Sequence, residues 1–412
     1  MFPRLRGLPA KKKCIAGEAF SNCGSGEPCD TAAEGPGMKT IKGLFGKIID
    51  FENLYEAWDA ARKGKRYRDE VMRFSSNLES NLIEIQNELI WGTYQVGRYR
   101  PFFVYEPKKR LVMALPFRDR VVQWAIYRQL FPLIEKGFIG DSYACRKGKG
   151  SHKAADRLQY WLRQTDRKPE KYYFLKLDVS KYFYRVDHAV LLDILRRKIN
   201  DEELISLLGK IINCEETKFG LPVGCDPDAI NPDEWLGNVG MPIGNLTSQM
   251  FANLYLNEVD QFAKHELRLH FYIRYMDDII ILHPDKRFLW EVKDKIEQFL
   301  NDNLHLQLNR KTTIRPCSMG IDFVGYRIWA THRLLKKSTA RRAKERIGLL
   351  AAALEAGEIT QESFDRSVAS YHGLTAHFDS GGFRHELNRI YLSRRHGTGP
   401  GGGSTERRKQ YD

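Results

Sequence analysis

No stretch of the sequence approaches the roughly 20 consecutive apolar residues that a membrane-spanning helix requires, which argues against a membrane partner. Residues 1–13 are basic but lack the apolar core of a secretory signal. Cysteine is scarce, seven in 412 residues, and no two form a C-x-x-C pair, so neither a disulfide scaffold nor a zinc ribbon is expected. Cys14, Cys23 and Cys29 lie near one another without a histidine among them, which leaves a metal site there short of ligands. Reduced thiols in a cytoplasmic setting are the expectation. No internal repeat is visible.

Positive charge, by contrast, is plentiful. The 66 Lys and Arg residues against 52 Asp and Glu leave a formal net charge of +14. The surplus is clustered in Lys108-Lys109-Arg110, Arg146-Lys147-Gly148-Lys149, Arg196-Arg197-Lys198, and Lys336-Lys337 followed by Arg341, Arg342, Lys344 and Arg346. Positions 337, 341 and 344 share one helical face. Such clusters predict a polyanionic partner, nucleic acid first among them. Hydrophobic residues at 42% and aromatics at 12% suffice for a packed core, and the length corresponds to about two to three packing units.

Residues 1–37, rich in Gly, Pro, Ser and Cys without periodicity, read as a disordered extension, and 396–412 as a disordered basic tail. From about 50 to 91 apolar residues recur at helical spacing. A β-rich section, Phe102–Tyr105 and Leu111–Leu115 joined by a Pro-Lys-Lys turn, precedes a helix over 119–136. Residues 173–178 alternate as a strand, 187–199 read as a helix, and 214–240 form a long Gly/Pro/Asn/Asp-rich connection to which no role can be given. After a Gly-rich turn at 240–245 come a helix to about 267, a hairpin across 271–282 and a helix over 285–301. Strands near 312–316 and 321–328 follow, then closing helices near 337–356 and 360–377.

The sharpest local signal is Tyr275-Met276-Asp277-Asp278 between two apolar, β-prone runs, which predicts a hairpin with Asp277 and Asp278 at or beside its turn. Alone, an Asp-Asp turn on a solvated hairpin is common. Asp178, at the end of the Phe174–Val179 alternation, changes the balance, because a strand beside the hairpin would join three carboxylates in one cluster. Such a cluster repels itself without cations. Hard oxygen ligands suit Mg²⁺, which also coordinates phosphates, and two such ions could activate a 3′-hydroxyl and stabilise departing pyrophosphate.

These residues resemble the palm of a reverse transcriptase: Phe174–His188 with Asp178, Gly240–Gln249, and the Tyr-x-Asp-Asp hairpin occur in that family's order over about residues 95–345. Residues 142–152, 244–249 and 320–329 further resemble the reverse transcriptases of diversity-generating retroelements. Those enzymes copy a template-repeat RNA with frequent errors at adenines, and the cDNA replaces part of a target gene with help from a small basic accessory protein, expected to be oligomeric.

The resemblance implies an α+β right-hand polymerase fold. Fingers with N-terminal helices would span 38–172, a palm of antiparallel sheet and helices 173–330, and a helical thumb 331–395. It implies two Mg²⁺ ions held by Asp178, Asp277 and Asp278 with the Val179 carbonyl as a further ligand, and dNTPs, template RNA and an RNA/DNA duplex as partners. Phe183 falls at the sugar gate, where a ring excludes a ribose 2′-hydroxyl. Arg110 and Lys108 would meet the triphosphate, Lys311 resembles the lysine that would protonate pyrophosphate, and Gly244 and Gln249 would support nucleotide and template. Arg146, Lys147 and Lys149, with Lys337, Arg341, Arg342 and Lys344 of the thumb, would track nucleic-acid phosphates. Ile243 departs from the Pro-Gln-Gly that most members carry. Loss of polar positioning there, with Arg110, is expected to permit misincorporation. A group II intron-type enzyme of ordinary fidelity is the nearest alternative; a non-catalytic RNA-binding assembly protein is the second, disfavoured by the presence of all three aspartates.

Overall fold

The computed structural model describes residues 40–105, 110–214, 216–225, 227 and 230–395. The expectations for 1–37, for the 396–412 tail, for Lys108 and for the Arg110 side chain lie outside the described residues. From Thr40 onward come β1 (Ile41–Lys42), α1 (Phe45–Ile49), α2 (Phe51–Arg62), α3 (Asp69–Ser76) and α4 (Leu78–Ile90), then a hairpin of β2 (Arg100–Val104) and β3 (Arg110–Ala114). Helices α5 (Phe117–Glu135) and α6 (Ser151–Asp166) lead to β4 (Tyr173–Asp178), α7 (His188–Lys198), β5 (Ile199–Asn200), α8 (Glu202–Ile212) and α9 (Leu246–Gln261). The chain continues through β6 (Tyr272–Tyr275), β7 (Asp278–His283), α10 (Lys286–Leu304), β8 (Thr313–Pro316), β9 (Ile321–Phe323), β10 (Tyr326–Ile328) and β11 (Arg333–Leu335). It then enters α11 (Lys337–Glu355), α12 (Gln361–Thr375) and α13 (Gly381–Arg395). Aspartates start several helices: Asp50, Asp187, Asp201 and Asp285 each accept a hydrogen bond from an amide of the first turn, a group the helix itself leaves unpaired. No described helix is long and apolar enough to cross a membrane.

Four antiparallel strands in the order β6-β7-β4-β8 form the sheet that carries the candidate site. Both of its faces are covered, which explains why β7 reads Ile279-Ile280-Ile281-Leu282 instead of alternating. Leu175, Leu177, Tyr272, Ile279 and Ile281 join the larger core with α5, α7, α9 and α10. Phe174, Ile273, Ile280 and Leu282 join a second core with α6 and the small β9-β10-β11 sheet.

Several elements differ from the sequence reading. The helical spacing over 50–91 is three helices, broken at the 63–68 turn and at Asn77. Residues 321–328 are not one strand: Val324 and Gly325 both take positive φ, turning the chain into the β9–β10 hairpin to which β11 adds. Helices α6, α8 and α13 were not expected. The buried stripe of α6 includes Ala154 and Ala155 beside Leu158, Trp161 and Leu162, and alanines give little periodic signal in a polar sequence.

The 214–240 connection also has a place. It is tied to the turn after β4, with Leu221 N donating to Tyr184 O at 3.1 Å, Gly240 N to Val186 O at 2.8 Å and His188 N to Asn238 O at 3.2 Å. Its two arms pair at Gly220 and Leu236. Gly240 has φ +91°, and a Cβ there would meet Phe219 O at 2.5 Å, so the arms close only over a glycine.

Candidate active site

Strands β4 and β7 pair so that Asp178 and Asp278 are direct partners across the ladder. Tyr275 pairs with Asp278 across the two-residue turn Met276-Asp277. Met276 has φ +55°, a left-handed conformation suited to a tight hairpin but costly for a side chain with a Cβ. Arg274 supports the turn from below. Fully buried, it donates from Nη1 to Met276 O at 3.1 Å and reaches Asp260 through Nε and Nη2 at 2.7 and 2.6 Å. The Tyr272 hydroxyl donates to the same carboxylate at 2.7 Å. Neither Arg274 nor Asp260 was singled out from the sequence, although a lone arginine inside the apolar run 271–275 needs a buried partner.

The other carboxylate is fixed by the segment after α10. Asn309 donates from Nδ2 to Asp178 Oδ2 at 2.9 Å and from its backbone amide to Asp178 O at 2.7 Å. Val179 bridges to Leu308, and its amide donates to Asp277 O at 3.3 Å. The structure therefore brings Asp178, Val179, Asp277 and Asp278 to one place. Lys176, two residues before Asp178 and so on the same face of the strand, puts Nζ 2.8 Å from Asp278 Oδ1 and 2.9 Å from Oδ2, and donates to Asp322 O at 2.8 Å. Burial pushes the Asp278 carboxyl above its usual range; Lys176 pulls it back and Asp178 pushes it further up.

Among the described residues no three His, Cys, Asp or Glu side chains are gathered so as to hold a metal ion. The donor chemistry still fits one: two partnered carboxylates with a third in the adjoining turn are hard oxygen ligands, and Lys176 alone does not balance them.

Phe183, in the 3₁₀ turn Tyr182–Tyr184, is half-buried and packs edge-on to Tyr182 with centroids 5.6 Å apart. Its carbonyl accepts from Met241 N at 2.7 Å, and the Ile243 carbonyl accepts from Met113 N at 3.2 Å. The Gly-rich loop is thus bonded to the turn after β4 on one side and to β3 on the other. Gly244 has φ +114°, and a Cβ there would lie 2.8 Å from Val112 Cγ1. Gln249 is in the first turn of α9, Arg110 begins β3 opposite Val104, and Lys311 is exposed with its amide donating to Asn309 Oδ1 at 3.2 Å.

Residues 106–328, more than half of the chain, match the family model described as reverse transcriptase (RNA-dependent DNA polymerase). The chain belongs to this family. It is similar to protein YkfC of Escherichia coli strain K12, with 26% identity over 289 residues that cover 61% of this chain and 71% of that protein. It is also similar to the group II intron-encoded protein LtrA of Lactococcus lactis subsp. cremoris, with 22% identity over 362 residues, 72% of this chain and 56% of that protein. A solved telomerase structure from Candida albicans matches at a TM-score of 0.40 and 12% identity, covering 73% of this chain and 60% of that one. The reverse transcriptase described here therefore spans just over half the length of the intron-encoded relative.

In this reverse transcriptase the basic clusters divide by role. Arg146 is committed internally, with Nε to Glu135 at 2.8 Å and Nη1 to the carbonyls of Ile139 and Ser142 at 2.7 and 2.9 Å. Lys149 donates to Gly140 O at 2.6 Å, while Lys147 is exposed. On α11, Lys344 pairs with Glu386 of α13 and Arg341 with Glu345 at 3.5 Å; Lys337, Arg341 and Arg342 are exposed. Helical spacing marks a cationic face but cannot reveal which cations the fold itself uses.

Proposed function

We propose that this reverse transcriptase extends a DNA strand on an RNA template by nucleotidyl transfer at Asp178, Asp277 and Asp278. The register that partners Asp178 with Asp278 beside the Met276-Asp277 turn carries this reading. On it, the four-stranded sheet is the palm, the β2–β3 hairpin with α1–α6 the fingers, and α11–α13 the thumb. The three aspartates and the Val179 carbonyl would hold magnesium, which when bound activates the attacking hydroxyl and neutralises phosphate charge. Asn309 orients Asp178, and Lys176 fixes Asp278. The Phe183 ring would exclude a 2′-hydroxyl. The 240–245 loop, bonded to both Phe183 and β3, would form the floor under the new base pair. Arg110 and Lys108 would meet the triphosphate, Lys311 the pyrophosphate, and the exposed Lys337, Arg341 and Arg342 the duplex phosphates.

The finer reading is an error-prone enzyme of the diversity-generating type, copying a template-repeat RNA with mistakes at adenines and working with a small basic accessory protein. It is supported by the segments 142–152, 244–249 and 320–329 and by Ile243, whose apolar side chain offers the nucleotide no hydrogen bond. The likeness to an intron-encoded protein over 72% of this chain favours a second reading, an intron-type enzyme of ordinary fidelity.

Mg²⁺-dependent extension of a DNA primer on RNA, with product sequencing, separates them. Extension should be abolished in Asp277→Ala. Errors concentrated opposite adenines, and reduced in Ile243→Gln, are the expected outcome; uniform accuracy would select the intron-type enzyme. No extension, even with the accessory protein and its own RNA supplied, would leave an RNA-binding assembly role.

A further inference from the structure

The turn that carries Phe183 has a backbone that its own residues disfavour. Lys181, two positions before the ring, has φ +48° and ψ +41°, a left-handed conformation that a residue with a Cβ adopts only where its surroundings impose it. Tyr182, buried, donates its hydroxyl to Ala252 O of α9 at 2.6 Å and so ties the turn to the core. The rest of the turn is bonded to the 214–240 connection. Leu221 N, on one arm, donates to Tyr184 O at 3.1 Å, and Met241 N, at the end of the other, to Phe183 O at 2.7 Å.

Two cations flank the ring in sequence, and both give hydrogen bonds to one bend of that connection. Lys181 Nζ donates to Cys225 O, and Arg185 Nη2 to Pro222 O at 2.5 Å. Either could serve a phosphate; the fold turns them onto carbonyls instead. Both side chains are half-buried, and burial holds the Arg185 guanidinium below its ordinary range, with Cys225 opposing it. A cation drawn partly out of water depends on the acceptors the fold provides. Tyr184, the residue after Phe183, meets the half-buried Trp235 of the connection, with ring centroids 5.8 Å apart and planes tilted by 57°. That spacing is within the range of a favourable aromatic pair.

We propose that the 214–240 connection is a clamp on the Phe183 turn, and that Arg185 and Trp235 are the positioning residues through which it sets how strictly a ribose 2′-hydroxyl is excluded. A steric gate discriminates only as far as its ring cannot yield, since a ring free to move aside admits the extra oxygen. Arg185 acts through Pro222 and Trp235 through Tyr184, so neither needs to meet the nucleotide. The inference rests on the reading of Phe183 as a sugar gate and adds to it what holds the gate shut.

Nucleotide binding by the full chain tests it, on an RNA template whose DNA primer ends in a dideoxynucleotide so that no bond forms. Dissociation constants are measured for the matching dNTP and rNTP, and the wild type should prefer the dNTP. Arg185→Gln and Trp235→Ala should each lower that preference about tenfold by tightening rNTP binding. Binding of dNTP, and kcat for dNTP extension of an ordinary primer, should hold. Arg185→Lys, which keeps a donor, and Trp235→Phe, which keeps a ring, should restore most of the preference. Phe183→Val serves as the open gate. Weaker binding of both nucleotides in Arg185→Gln and Trp235→Ala would overturn the clamp and leave the gate. So would a wild-type preference in both of them while Phe183→Val loses it. A wild type that binds dNTP and rNTP alike, or a Phe183→Val that keeps the preference, would overturn the gate reading and the clamp with it.

Discussion

At the scale of single residues, Asp178, Asp277 and Asp278 are held in place by neighbours from other parts of the chain. Arg274 spans the space between Asp260 and the Met276 carbonyl, so the left-handed turn is held by a buried ion pair rather than by its own backbone preference. Arg274→Met should leave the buried Asp260 carboxylate with the Tyr272 hydroxyl but without its counter-charge, a loss of about 3–5 kcal/mol in urea denaturation. An unchanged midpoint would mean that the pair is not what supports the turn. The aspartates were singled out because Asp178 ends one β-prone run and Asp277-Asp278 stands between two others, and the register does set Asp178 opposite Asp278. Lys176 and Asn309 were not legible, since a lysine in a strand and an asparagine in a loop acquire meaning only once register and loop closure set them against Asp278 and Asp178. At 146–149 the sequence displays the charge of Arg146 but not the Glu135 that answers it, while Lys147 stays exposed.

At the scale of elements, the 240–245 loop is the joint between β3 and the turn that carries Phe183. Gly244→Ala would set a Cβ against Val112 and force a side chain into φ +114°. We expect a destabilisation of about 1–3 kcal/mol by denaturant titration and a larger change in KM for dNTP than in kcat. A proportional fall in kcat alone would place the joint elsewhere. Strand β4 was legible from its alternation, the β6–β7 hairpin from its two apolar runs, and α10 from its helical spacing after Asp285. Helix α8 was missed although Asp201 caps it, because it follows α7 with only β5 and Asp201 between them. Alanine-rich α6 hides its buried stripe, and the 321–328 run conceals a turn because its left-handed residues are Val324 and Gly325 inside an apolar stretch.

Across residues 40–395, α6 meets the end of α12 through a pair of histidine rings. His152 stacks on His377 with centroids 3.7 Å apart, and its Nδ1 lies 2.9 Å from the Tyr326 hydroxyl. Burial, then His377 and Arg333, hold the His152 imidazole below its ordinary range, with Asp156 pulling the other way; Arg333 is itself paired with Asp156 at 2.6 Å. A histidine with a lowered folded pKa binds fewer protons folded than unfolded. Stability should therefore rise as pH approaches about 6.5 from below and level off above it. The melting temperature between pH 5 and 7.5 should climb in the wild type and climb less in His377→Phe, which keeps a ring in the stack but removes the imidazole that acts on His152. Coincident profiles would show that the stack does not govern this dependence. The antiparallel sheet has a consequence in time as well as in space. Asp178 meets Asn309 across 131 residues of sequence, so at about 5–20 residues per second of synthesis the strand that bears it waits on the order of 10 s for its partners. During that interval β4 is an open-edged apolar strand, and whatever shelters it on the ribosome decides how much of the chain ever becomes enzyme.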